Sequence, residues 1–191
     1  KGADFIADST DPQDTFAQLF SGSVVDTVND LSLPRYGVGN YVSASPDPTP
    51  TGDEKRVIGN LSRAGKRLKG FCRTNLFKRL ESCGYAFLQS VARHILRNHV
   101  YLHALETGNP IPIGTQDAAF LDPARYDEDR DIGAGEEGDE DQNGKESPDF
   151  PRTWPGYRDL AARIYGKYRS QQRDRFDWLR SDLFTERLAD D

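Results

Sequence analysis

The chain of 191 residues contains no methionine, only two cysteines and no apolar run longer than a few residues. Such short runs predict no transmembrane helix, and no charged-then-apolar leader indicates a signal peptide. Cys72 and Cys83 would lie about 16 Å apart along one helix, too far for a disulfide, so we expect reduced thiols and a cytoplasmic location. The missing methionine and the start at Lys1 lead us to expect a piece of a longer protein.

Apolar residues are also scarce, at 36% of the chain, against about 45–50% in typical soluble domains. We therefore expect one modest core with long loops around it. No phosphate-binding GxxxxGK[ST] motif is present, so nucleotide hydrolysis is assigned to none of these residues. No other catalytic constellation is visible, and the sequence predicts no catalytic residue and no cofactor site in this chain.

Charge and proline divide the chain into four segments. They are an acidic part with short helices and a Pro-rich linker (1–52), a basic helical core (53–116), an acidic Gly-rich loop expected to be flexible (117–151), and helices expected to pack on the core (152–191). The loop is too polar to offset the entropy of ordering.

Apolar residues at three- and four-residue spacings predict a central helical pair over 61–81 and 84–106, with Ser82 as a cap between the helices. The IPIG run at 111–114 predicts an extended segment, and YGVGNYVS at 36–43 a loop or a short extended piece. Two apolar stripes predict helices within 152–189. The expected fold is thus mainly α, an irregular multi-helix domain with long loops.

Two weak metal-site patterns are present. His99 and His103 are spaced i,i+4, as in zinc sites. An HExxH site would have Glu at position 100, where this chain has Val, so a polar or hydrogen-bonded role is favoured for both histidines. The run DEDQNG (139–144) matches the first half of a calcium loop, but Phe150 stands where the closing Glu should be. No metal site is predicted.

The strongest signal is positive charge between Lys55 and Gln116, where eleven Lys/Arg face two Glu, a net of 11 − 2 = +9, in a chain whose net charge is −6. Rows of cations at helical spacing suit successive phosphates, so we predict a nucleic-acid-binding face. Its residues are Lys66, Lys69, Arg73, Lys78, Arg79, Arg93 and Arg97. The alternative is a solvated basic face, or one that docks on an acidic surface of the same protein.

The residues around this face resemble a known family. Leu76 to Ser82 (LFKRLES) is similar to the LFKRLESS signature of prokaryotic helicase-related proteins of the Swi/Snf type, within the superfamily-two ATPases, although Cys83 replaces the second Ser. Weaker similarity lies at LPRY (33–36), PIG (112–114) and WLRSDLF (178–184). The resemblance implies a helical insertion between two RecA-like lobes of the same polypeptide.

In that setting the lobes of the parent protein would bind ATP and Mg²⁺ and hydrolyse the ATP. The insertion, itself not an enzyme, would contact DNA or couple lobe closure to movement along it. The competing hypothesis is a protein–protein interaction module with a basic docking face and no nucleic-acid contact. The oligomeric state is left open by the sequence.

Overall fold

The structure is a computed structural model that describes residues 15–114 and 150–191, and it is mainly helical, as predicted. The α-helices of the described part are Thr15–Leu19 (α1), Gly22–Asp30 (α2), Gly52–Ser82 (α3), Gly84–Glu106 (α4), Trp154–Gln171 (α5) and Arg187–Asp190 (α6). Two short strands, Ile111–Ile113 (β1) and Asp177–Leu179 (β2), pair antiparallel. The predicted acidic loop and the DEDQNG run fall almost wholly outside the described residues.

The long hairpin of α3 and α4 organises the fold. A capping box starts α3: the Thr51 hydroxyl accepts from the Glu54 amide at 3.3 Å, and the Glu54 carboxylate accepts from the Thr51 amide at 2.7 Å. The predicted Ser82 cap is wrong, because Ser82 is the last residue of α3 and the extended Cys83 alone joins the two helices. One extended residue is enough to reverse the chain here.

A 3₁₀ segment, Pro34–Tyr41, packs along α3 where a loop or extended piece was expected. Two glycines permit this approach. A Cβ on Gly65 of α3 would lie 2.7 Å from the Tyr36 carbonyl oxygen, and a Cβ on Gly39 would lie 2.9 Å from the Ile58 carbonyl oxygen. Both distances are too short for any residue but glycine, so the glycines fix how closely the segment approaches the helix.

The second apolar stripe of the C-terminal region does not form the predicted helix. Its backbone pairs instead with distant chain: Ile111 is the register partner of Leu179 in the β1–β2 pair. Ser43 donates to the Leu183 carbonyl at 2.9 Å, and Thr185 donates to that of Tyr41 at 2.8 Å. The side chains of the stripe are still buried, so the apolar pattern correctly predicted core residues. The predicted helical hydrogen bonds are replaced by bonds to distant parts of the chain.

Two clusters of buried side chains make up the core. The larger joins α4, α5, the strand pair and the C-terminal turns, and the smaller joins α2, α3 and the start of α4. The predicted extended segment at 111–114 is confirmed by β1, which is buried throughout. Within the described ranges, no helix combines the length and apolar character that crossing a bilayer requires.

Candidate nucleic-acid interface

Helix α3 presents its exposed cations on one side. From Lys55 to Leu80 it carries nine Lys/Arg and no Asp or Glu. Six of these cations are exposed, and we call them the basic row: Lys55, Arg56, Arg63, Lys66, Arg67 and Lys78. At 3.6 residues per turn they span about 140° of the helix circumference and about 34 Å of its length. The helix therefore displays positive charge along one side, with its widest gap, about 16 Å, between Arg67 and Lys78.

The members of the basic row differ in how they are held. Arg56 lies 3.3 Å from the Asp53 carboxylate, and Arg63 donates to the Gly59 carbonyl at 3.1 Å. Lys66, Arg67 and Lys78 form no ion pair and no side-chain hydrogen bond with any residue that the structure describes. Phe71, 46% exposed, lies beside the row. Free cations next to an exposed aromatic ring suit contacts with phosphates and bases.

The seven predicted site residues do not share one exposed face. Lys66 and Lys78 are exposed, and Lys69, Arg73 and Arg79 are half-buried. The Arg73 guanidinium donates to the Leu31 carbonyl at 2.6 Å, at the C-terminal end of α2. Its side chain therefore holds α2 against α3, a structural task that competes with phosphate contact.

Arg93 and Arg97 are buried, 6% and 3% exposed, so their predicted place on an open face beside Lys66 is wrong. The physical reason is that α4 contacts α3 along one part of its surface and α5 along another. Positions 90, 93, 97, 100 and 104 follow the 3-4-3-4 spacing of a core stripe, and all five are buried. This spacing is present in the sequence and predicts a core stripe whatever the charge of the residues on it.

Positive charge converges instead on a half-buried histidine. His94 lies 3.5 Å from the Cys72 sulfur, measured from its Nε2. Burial, followed by the charges of Arg35, Arg97, Arg79 and Arg93, lowers the pKa of His94 to about 3. The imidazole is therefore neutral at pH 7. This cluster, assembled from α3, α4 and the 3₁₀ segment, was not predicted.

The other two histidines have aromatic neighbours. The His99 ring meets Trp154 edge-on at 4.6 Å between centroids and stacks on Tyr157 at 5.6 Å. The His103 ring lies 5.2 Å from that of Tyr165. Within 15–114 and 150–191, no three His, Cys, Asp or Glu side chains are grouped as metal ligands. Neither cysteine is in a disulfide, and Cys72 is buried whereas Cys83 is exposed.

An ion pair anchors the N-terminal end of α3 to the C-terminal turns. Arg180 donates through Nε to Glu54 at 3.0 Å, and the Glu54 side chain is only 10% exposed. Burial raises the pKa of Glu54, but the hydrogen bonds from Thr51 and Arg180 outweigh it, so the net pKa is lowered. The basic row is thus carried on a helix that is fixed at its start.

Comparison with known proteins returns no match: no family model, no curated protein and no solved structure is significantly similar to this chain. The chemistry of the described side chains, together with the LFKRLES resemblance, is therefore the basis for a functional proposal.

Proposed function

We propose that this chain binds the phosphate backbone of nucleic acid through the basic row of α3. The observation that carries the proposal is the row itself, six exposed cations on a helix with no acid between Lys55 and Leu80. Three of them, Lys66, Arg67 and Lys78, are not committed to any partner in the described structure. Such residues can neutralise phosphates and release counterions without first breaking an internal contact.

The dimensions of the row fit this role. Its length of about 34 Å is close to one turn of B-DNA, about 34–36 Å. The remainder of the chain is acidic, because the whole chain has a net charge of −6. Nucleic acid would therefore be attracted to this one side and repelled elsewhere, which orients the complex. We expect DNA as the partner, with contacts to the backbone rather than to base edges.

We also propose the larger setting that the resemblance implies, a non-catalytic helical insertion in a cytoplasmic DNA-dependent ATPase of the Swi/Snf type. The signature residues form the last two turns of α3. Leu76 and Leu80 are 2% exposed and belong to the smaller core cluster, whereas Lys78 points out. The segment thus joins the packed hairpin to the end of the basic row, an arrangement suited to coupling DNA contact to movement of flanking lobes.

The test is a charge reversal with a matched control. Lys66→Glu with Arg67→Glu removes two adjacent cations of the row, and Arg152→Glu with Arg163→Glu makes the same change in charge at exposed positions near and on α5. Fluorescence anisotropy with labelled duplex DNA over a salt series should show that only the first pair loses affinity, by about tenfold or more. An equal loss of DNA affinity in both double variants would show that only the overall charge matters, and it would overturn the proposal.

A second candidate function is protein docking, favoured by apolar side chains near the hairpin tip. Tyr85 and Leu88 are 59% and 54% exposed and lie three residues apart at the start of α4. On a helix this spacing puts them on one face. A partner protein captured by the full chain, retained after nuclease treatment and lost in Leu88→Glu but not in Lys66→Glu/Arg67→Glu, would favour docking over nucleic-acid binding.

A further inference from the structure

A cavity of about 270 Å³ lies where α4, the start of α5, the start of the 3₁₀ segment and the C-terminal turn meet. Its apolar wall includes Ile95, Leu102 and Leu105, and its polar lining comes from Arg35, Asn98, His99, Tyr101, Asp190 and Asp191. The indole of Trp154, which is 65% exposed, stands at its edge. The cavity is separate from the basic row, although the segment that supplies Arg35 also packs on α3.

His99 is the unusual member of this lining. It is 3% exposed, yet neither of its ring nitrogens has a hydrogen-bond partner in the part of the chain that the structure describes. Burial, and then the Arg158 charge, lowers the pKa of His99, so the ring is neutral at pH 7. A neutral imidazole offers one N–H donor and one acceptor nitrogen. Since buried polar groups are nearly always satisfied, a ligand with both functions would complete the site.

The charges of the lining restrict the ligand further. The Asp191 carboxylate already accepts from the Tyr41 hydroxyl at 2.8 Å and lies 3.4 Å from Arg187. A simple anion would therefore face the carboxylate of Asp190, and a simple cation would face the guanidinium of Arg35. An uncharged ring with donors and acceptors along its edge meets neither penalty. The amide of Asn98 and the imidazole of His99 each offer both functions, and the indole of Trp154 offers a flat face for stacking.

We propose that this cavity binds a single unpaired nucleobase, stacked on Trp154 and hydrogen-bonded at its edge by His99 and Asn98. The volume lies just below the range of about 300–1,000 Å³ typical of ligand pockets, which suits one base better than a whole nucleotide. Stacking of a splayed base on an aromatic side chain is a common mode of single-strand recognition. This inference rests on the proposed nucleic-acid role of the chain.

The test uses tryptophan emission. The chain has two tryptophans, so Trp178→Phe leaves Trp154 as the single reporter. Titration with adenosine and with cytidine should quench Trp154 emission, whereas ribose 5-phosphate, which has no base, should not. His99→Phe keeps an aromatic ring but removes both nitrogens and should weaken nucleoside binding about tenfold. His103→Phe, a histidine one turn away that does not line the cavity, should leave nucleoside binding unchanged.

The outcomes separate the two proposals. If nucleosides quench Trp154 equally in the Lys66→Glu/Arg67→Glu chain, the cavity acts independently of the row. If DNA binds but no nucleoside quenches Trp154 at up to about 10 mM, well above a millimolar Kd, the nucleobase site is overturned and the row stands. Equal quenching in the His99→Phe variant would also overturn it. If nucleosides bind but DNA does not, the proposal that the basic row binds nucleic acid is overturned.

Discussion

Substitution of Gly65 by Ala tests how the 3₁₀ segment is seated on α3. A new Cβ would lie 2.7 Å from the Tyr36 carbonyl oxygen and 3.1 Å from the Gly37 Cα. Both contacts are with backbone, which cannot move aside as a flexible side chain would. Overpacking of this kind costs about 1–3 kcal/mol. The usual helix gain of about 0.5–1 kcal/mol for Gly→Ala offsets only part of this cost.

Gly70 provides the matched control, because it lies in the same helix with nothing within 4 Å of its Cβ position. Gly70→Ala should stabilise the chain by about 0.5–1 kcal/mol, and Gly65→Ala should destabilise it by about 1 kcal/mol. With a urea m-value of about 2 kcal/mol/M, the two midpoints should differ by about 1 M. Urea unfolding followed by circular dichroism measures this difference. Equal midpoints would refute the close packing of the segment on α3.

Two further predictions concern pH. The pKa of His94 is lowered to about 3 in the folded state, so between about pH 6.5 and 3 the imidazole binds a proton only in the unfolded state. The free energy of unfolding should therefore fall on acidification by up to about 1.4 kcal/mol per pH unit. His94→Gln should flatten the curve of melting temperature against pH in this window, and an unchanged curve would contradict the lowered pKa of His94. The hydrogen bonds from Thr51 and from Arg180 lower the pKa of Glu54 in the folded state, so the stabilising effect of the ionised carboxylate should be present above the unfolded pKa and lost as the pH falls through the folded pKa. Arg180→Gln should move the Glu54 titration, followed by NMR, to higher pH, and an unmoved titration would argue against the ion pair.

The hairpin was predictable because its information is local. Apolar residues at three- and four-residue spacings placed α4 at its observed bounds of 84–106, and the break after Ser82 was readable from the nearby glycine. The start of α3 at Gly52 was less visible, because its first two turns are largely polar and depend on the Thr51–Glu54 capping box. The extended segment at 111–113 was signalled by β-branched residues around a proline.

What the sequence did not reveal depends on contacts between distant residues. The Arg180–Glu54 pair joins positions 126 apart, and the Cys72–His94 contact joins positions 22 apart on two helices. Arg93 and Arg97 show a related difficulty. A buried arginine and an exposed one have the same charge in a sequence, and only the register of α4 against its two neighbours separates them. Likewise, the cavity at His99 is lined by four segments that are far apart in the sequence, so no local pattern predicts it.

The most direct test of the basic row is the salt dependence of DNA binding by the full chain. With Arg56 held by Asp53, the five remaining cations of the row would neutralise about five phosphates, which predicts a slope of log affinity against log salt of about −4.5. In the Lys66→Glu/Arg67→Glu chain the slope should become shallower by about 2. A slope near zero, no binding at low salt, or the same slope in both proteins would contradict the assignment of nucleic-acid binding to α3.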